Sequence, residues 1–363
     1  MSDTQKTDPR VKLLGWLWVS AGVLIVGAAL SHMATLEPRE DAFEPRLVWP
    51  GFEGALANLT ELQIQTKDES FTVIDTPKGW GVKERGGYPV RDEILRATLW
   101  GLGDMKLIEP KTARADRHQA LGLVAPDEGG DAVHFKILGD GGALLSLYLG
   151  IPEGAEALDG SLRTYVRYFG EDQTWLAEGR LESEASLQEW LDLDVLDVDS
   201  QRIARVTATP ADGGPSFTIA RPDAETYNFA LLGLGENEEM TGPTAGNGLG
   251  RALIAMTPSD VRAASDIGFE GAAQARFETF DGLAVTLGVT FFEEAYWITI
   301  GAERFVPAAG AAPLETDETN PDISNEAAQL NALAAGWAFK VPDWKGKQLV
   351  TGRAGLIKNN KTQ

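Results

Sequence analysis

Cysteine is absent from the chain. That excludes disulfides, thiolate nucleophiles and Cys-ligated zinc, and leaves stability to burial. Histidine is nearly absent: His32, His118 and His134 are the three in 363 residues, and none has the H-x-x-x-H spacing that sets two rings on one helix face. A G-x-S-x-G nucleophile elbow and a P-loop are both lacking, so the acyl-transfer and nucleotide-binding templates have no sequence support. Positive charge is scarce, with 32 Lys and Arg against 54 Asp and Glu for a net charge of −22. That potential opposes phosphate backbones and anionic lipid over most of the surface, which argues against nucleic acid as a partner. Long apolar runs are lacking too, with one exception, so the chain is not by itself a transporter or channel.

The exception is residues 13–30, LLGWLWVSAGVLIVGAAL, without a charge. As a helix it would cover roughly 27 Å, and continued to Met33 roughly 30 Å, the thickness of a bilayer's hydrocarbon core. Trp16 and Trp18 stand near its start, where aromatic rings favour the interface, and Lys6, Arg10 and Lys12 precede it. This basic flank is expected to hold the N-terminus in the cytoplasm and place the rest of the chain outside it, although Arg39 and Arg46 dilute the signal. His32 then falls at the membrane interface. A cleaved signal peptide, with Gly27 and Ala29 before the cut, competes, but its apolar core usually runs about 7 to 15 residues.

Beyond the run, Pro38, Pro45 and Pro50 mark a tether. Leu62, Ile64, Phe71 and Val73 alternate with polar residues across a turn at 67–70, the pattern of a hairpin. Leu95, Leu99, Leu102 and Met105 form one helical stripe over 92–107. Three strand-like runs follow at 132–138, 143–149 and 163–169, and a short helix is expected at 187–196. The pattern then recurs: a hairpin around Asp212 and Gly213, helices across 249–264 interrupted at Pro258, and three strands at 273–279, 283–289 and 295–300. We read this as a divergent duplication. The expected fold class is α+β: a single N-terminal transmembrane helix, then two tandem units, each an antiparallel sheet with helices. The boundaries are a cytoplasmic tail (1–12), the anchor (13–33), the tether (34–54), a first unit (55–202), a second unit (203–306), a flexible acidic linker (307–326), and a C-terminal helix with a basic tail (327–363). The tail carries Lys340, Lys345, Lys347, Arg353, Lys358 and Lys361 against Asp343 alone. It is expected to seek a negative surface, either anionic lipid headgroups near the anchor or, as the favoured reading, the acidic body of its own chain, on which Trp337, Phe339 and Trp344 would be buried.

The N-terminal span, the stretch GGYPVRDEILRATLWGLGDMKLIEP with HQALGL after it, the stretch DIGFEGAAQARFETFDGL and the closing LNALAAGWAFKVPDWKGKQL resemble the bacterial DUF4340 family, whose function is unknown. The resemblance implies a membrane-anchored extracytoplasmic protein whose gene lies near those of an ABC-2-type permease, an ATPase and a protein like an auxiliary component of gliding motility. It supplies no catalytic residues.

Chemistry must therefore come from carboxylates. Glu278 and Asp281 are the most tempting pair for glycan hydrolysis, which needs two carboxyl groups about 5 to 9.5 Å apart. Asp281-Gly282, like Asp140-Gly141 and Asp212-Gly213, is also the favoured two-residue hairpin turn, which explains Asp281 without catalysis. Asp192, Asp194, Asp197 and Asp199 have the oxygen chemistry calcium prefers, but they lack the glycine and terminal glutamate of an EF-hand loop and read as a solvated connector. Gly246, Gly248 and Gly250 before Arg251 read as a loop and helix cap rather than an anion site. Trp80, Trp100, Trp175, Trp190 and Trp297 have the spacing of core residues more than of a sugar groove. No catalytic, cofactor or metal residues are assigned. The expected function is a non-enzymatic accessory or binding subunit of an envelope complex, of ABC-type transport, in the cytoplasmic membrane with its bulk periplasmic. The alternative is an envelope enzyme acting on glycan through a carboxylate pair.

Overall fold

The computed structural model describes residues 43–154, 162–179, 181, 186–306 and 323–358. Alternation of apolar and polar residues decides the strands. In β2 (Leu59–Gln65) Leu62 and Ile64 point into the core while Glu61 and Gln63 point away, and in β3 (Ser70–Thr76) Phe71 and Val73 answer them. Leu62 stands opposite Val73, and Ile64 opposite Phe71. The Thr66 hydroxyl accepts from the backbone N–H groups of Asp68 and Glu69 and closes the hairpin. The chain continues through β4 (Gly79–Val82), β5 (Tyr88–Pro89), the helix α1 (Asp92–Asp104) and β6 (Lys106–Pro110). A meander follows: β7 (Val133–Gly139), β8 (Gly142–Pro152), β9 (Leu162–Tyr168) and β10 (Thr174–Gly179). With β1 (Arg46–Leu47) these strands form a ten-stranded antiparallel sheet in the order β1-β6-β10-β9-β8-β7-β2-β3-β4-β5.

A second sheet begins with the hairpin β11 (Ile203–Thr209) and β12 (Phe217–Ala220), then β13 (Ala230–Leu231) and β14 (Asp260–Ala263). Its meander is β15 (Ala273–Thr279), β16 (Leu283–Phe292) and β17 (Ala295–Arg304), and after helix α2 (Ile323–Ala334) come β18 (Trp337–Val341) and helix α3 (Asp343–Leu349). The strand order is β13-β12-β11-β15-β16-β17-β18-β14. Set beside the first sheet, each of the eight strands has a counterpart, and only the outermost β1 and β5 of the first sheet have none: β14 with β6, β18 with β10, then β17, β16 and β15 with β9, β8 and β7, and β11, β12 and β13 with β2, β3 and β4. The shared order supports the internal repeat more strongly than side-chain identity does, because topology survives substitution of the residues that build it. A continuous core joins the sheets: the Tyr88 ring meets Trp337 edge-on at 5.1 Å and Phe339 at 6.0 Å.

Several expectations are corrected. The α+β class headed by a transmembrane helix gives way to a mostly antiparallel protein of two large sheets, and no helix among the described residues is long and apolar enough to cross a membrane. Residues 13–33, on which that helix was expected, lie outside the described residues, as do His32 and residues 307–322. Of the helices expected across 249–264 only single turns remain at the two ends, Asn247–Gly250 and Ala264–Ile267; between them lie turns and β14, a strand with the short sequence DVRA, which pairs with β18. At 187–196 only Leu187–Trp190 is helical. The basic C-terminal segment is no appended tail. Its WAFKV strand lies between β17 and β14, with Phe339 fully buried. Trp344, expected to bury its ring, is 57% exposed, and Lys345 is the buried side chain instead.

Candidate binding groove

A groove of about 810 Å³ lies at one end of the second sheet. Three structural pieces bring its walls together. The β11–β12 turn contributes Pro210 and Asp212, the approach to β15 contributes Glu270, and the β16–β17 hairpin contributes Phe291 and Tyr296. The segment after α3 closes the fourth side with Arg353. Tyr296 and Phe291 are cross-strand neighbours whose rings meet edge-on at 4.9 Å, and Phe291 is 60% exposed at the groove. Helix α3 reaches Tyr296 at Gly346, where a Cβ would collide with the ring. Only glycine allows that approach.

Lys345 anchors the same helix. Its ammonium donates to the carbonyls of Ala252 (2.9 Å) and Ile254 (2.6 Å) and lies 4.8 Å from the Trp344 ring centre. It has no carboxylate partner among the described residues, and burial holds its pKa below the ordinary lysine value. Arg353 is fixed differently. Its guanidinium donates to both oxygens of Glu238, one of them at 2.9 Å. That pairing, reinforced by the Gly235 N–H, pushes the Glu238 carboxyl down to about 2. Arg353 thus brings a compensated charge to the groove, whereas Asp212 and Glu270 have no ion-pair partner among the described residues. The groove is apolar at its aromatic wall and acidic at its rim.

The residues singled out from sequence lie elsewhere. Glu278 accepts from Arg276 at 3.0 Å, and Asp281 accepts from Arg202 at 2.8 Å and from the Thr279 hydroxyl. Arg202 also forks onto both oxygens of Glu326 at 2.7 and 2.8 Å, tying the Asp281 turn to the start of α2. These bonds commit both carboxylates of the proposed pair to arginines. Each Asp-Gly dipeptide does sit between paired strands. Of the aspartate run, Asp194 faces Arg91 at 3.7 Å, Asp197 accepts from the Ala255 N–H, and Asp199 caps Gln201. Among the described residues no three acidic or histidine side chains gather in a manner that would hold a metal. Gly246 and Gly250 are there for packing, since a Cβ on either would strike Phe229. His118 bonds the Asp172 carbonyl at 2.9 Å. His134 bonds the Ser146 hydroxyl at 2.9 Å and stacks on both Tyr148 and Phe169, and burial lowers its pKa. Trp190 and Trp297 are buried, and none of the five tryptophans considered lines the groove.

Sequence reasoning passed over Phe291 and Tyr296 and took Arg353 only as part of a basic tail. A signal was present in FFEEAY: two adjacent aromatics entering a hairpin put one ring on each face of the sheet, so one is exposed unless something covers it.

A family model for a domain of unknown function, DUF4340, matches residues 80–264, half of the chain, from β4 through β14. No curated protein and no solved structure matches it.

Proposed function

The chain belongs to the DUF4340 family of domains of unknown function, and from that premise we propose that it is a non-enzymatic accessory or binding subunit of an envelope complex, of ABC-type transport. It is attached to the cytoplasmic membrane through its uncharged N-terminal run, with its two sheets outside the cytoplasm. The observation that carries the binding role is the groove of about 810 Å³ with Phe291 exposed at its wall. Its volume falls within the range of about 300–1,000 Å³ usual for ligand sites, and aromatic rings, phenylalanine among them, are enriched at interfaces. The location rests on the run at 13–30 and its basic flank, and the transport partner on the gene neighbours that the family resemblance implies. The glycan-enzyme alternative has no comparable support, because Arg276 and Arg202 engage the two carboxylates it would use.

Affinity purification of the tagged full-length chain from gently solubilised membranes tests this reading. A permease and an ATPase should co-elute with it, and a reporter fused at residue 60 should lie outside the cytoplasm. Elution of the chain alone, or a cytoplasmic reporter, would overturn it.

A further inference from the structure

We propose that the groove receives an extended apolar segment bearing lysine or arginine, supplied by a partner protein of the complex. This rests on the accessory-subunit reading and names the chemistry of what that subunit holds. Three observations converge on it. First, Phe291 is 60% exposed although it lies within the paired part of β16, and its contact with Tyr296 leaves a face open to the groove. Second, the charge at the rim is of one sign. Asp212 and Glu270 have no cationic partner among the described residues, while Arg353 is already neutralised by Glu238. Third, the hairpin turn beside Phe291 is built from Glu293 and Glu294 with φ of 47° and 60°. That is the left-handed region, which disfavours a residue with a side chain and which Asn-Gly fills at less cost. Two carboxylates thus stand at a turn that glycine would fill more easily. Glu293 pairs with Arg262 at 2.9 Å, and Glu294 adds a further acid with no ion-pair partner among the described residues.

An aromatic wall bordered by carboxylates selects among occupants. Anionic lipid headgroups, nucleic acid and acidic peptides are repelled, and a neutral apolar ligand leaves the rim unused. A segment with apolar side chains for the Phe291–Tyr296 wall and cations for Asp212 and Glu270 satisfies both parts. The ring supplies affinity, and the rim supplies selectivity and speed of encounter.

The test is fluorescence anisotropy of a labelled peptide of alternating lysine and leucine with the full-length chain in mild detergent, with empty micelles as the blank. A glutamate–leucine peptide of equal length is the control. The lysine–leucine peptide should bind and the control should not. Phe291→Ala and Glu270→Lys should each weaken binding about tenfold or more, and Phe169→Ala, at an exposed ring on the first sheet, should leave it unchanged. No binding by the wild type, equal binding of both peptides, or unaltered binding by Phe291→Ala and Glu270→Lys would overturn the proposal. Co-purification separates this from the broader reading. If the wild type recovers the permease and ATPase and both groove variants recover as much, the groove assignment fails and the accessory role stands. If the wild type recovers neither while the peptide binds as described, the accessory role fails and the groove remains a site for basic peptides.

Discussion

Arg85 and Asp260, 175 positions apart in sequence, meet as a two-pronged ion pair: Nε to Oδ1 at 2.7 Å and Nη2 to Oδ2 at 3.2 Å. Arg85 follows β4 on the first sheet, and Asp260 opens β14 at the edge of the second. Both side chains are about one-fifth exposed, so solvent screens the pair less than a surface contact. The bond stands near the Tyr88–Trp337 ring contact, and together they seat one sheet against the other.

Removing one partner leaves the other half-buried and uncompensated. Asp260→Ala should therefore lower unfolding stability by about 1–3 kcal/mol in urea titrations, and Arg85→Ala by a similar amount. The double variant should cost less than the sum of the two, with a coupling of about 0.5 kcal/mol or more. Strict additivity would show that the pair does not join the sheets energetically.

Gly346 is the point at which α3 touches Tyr296. Gly346→Ala should destabilise the protein by about 1–3 kcal/mol through overpacking, despite the better helix propensity of alanine. Thermal unfolding measures it. A variant as stable as wild type would mean that α3 does not rest on the ring as described.

Lys345 makes stability depend on pH in a defined direction. Burial lowers its pKa in the folded protein, so the folded state binds fewer protons than the unfolded state between the two pKa values. Stability from this group therefore rises with pH up to the unfolded value of about 10.4 and is lowest below the folded value. Lys345→Met keeps the aliphatic stem and removes the titration. Comparing the two proteins in urea from about pH 8 to about pH 10, wild type should gain on the variant as pH rises. A constant difference would show that the ammonium is not desolvated.

How much could be read in advance depended on where each element finds its partner. The hairpin of β2 and β3 was legible because Leu62, Ile64, Phe71 and Val73 alternate within the strands themselves. Helix α1 was legible because Leu95, Leu99 and Leu102 repeat on one face and are buried there. The strands β14 and β18 were not. DVRA and WAFKV are four and five residues long, too short to display a period; WAFKV is a strand because β17 and β14 flank it, and DVRA because WAFKV lies beside it. Lys345 misled for a related reason: a basic residue in a basic stretch reads as solvated, and only the carbonyls of Ala252 and Ile254, brought from 93 and 91 positions away, make its burial tolerable. The groove was hidden because its walls come from four separated stretches of chain. The carboxylates were visible in the sequence, and the arginines that engage them were not recognised as their partners.

Recovery of partners with the full-length chain bears most directly on the central claim. Tagged protein taken from membranes in mild detergent should elute with a permease and an ATPase in constant proportion across the peak, and Glu278→Gln and Asp281→Asn should elute in the same way. A chain that elutes alone, and whose purified form turns over envelope glycan with that turnover lost in Glu278→Gln or Asp281→Asn, would contradict the account.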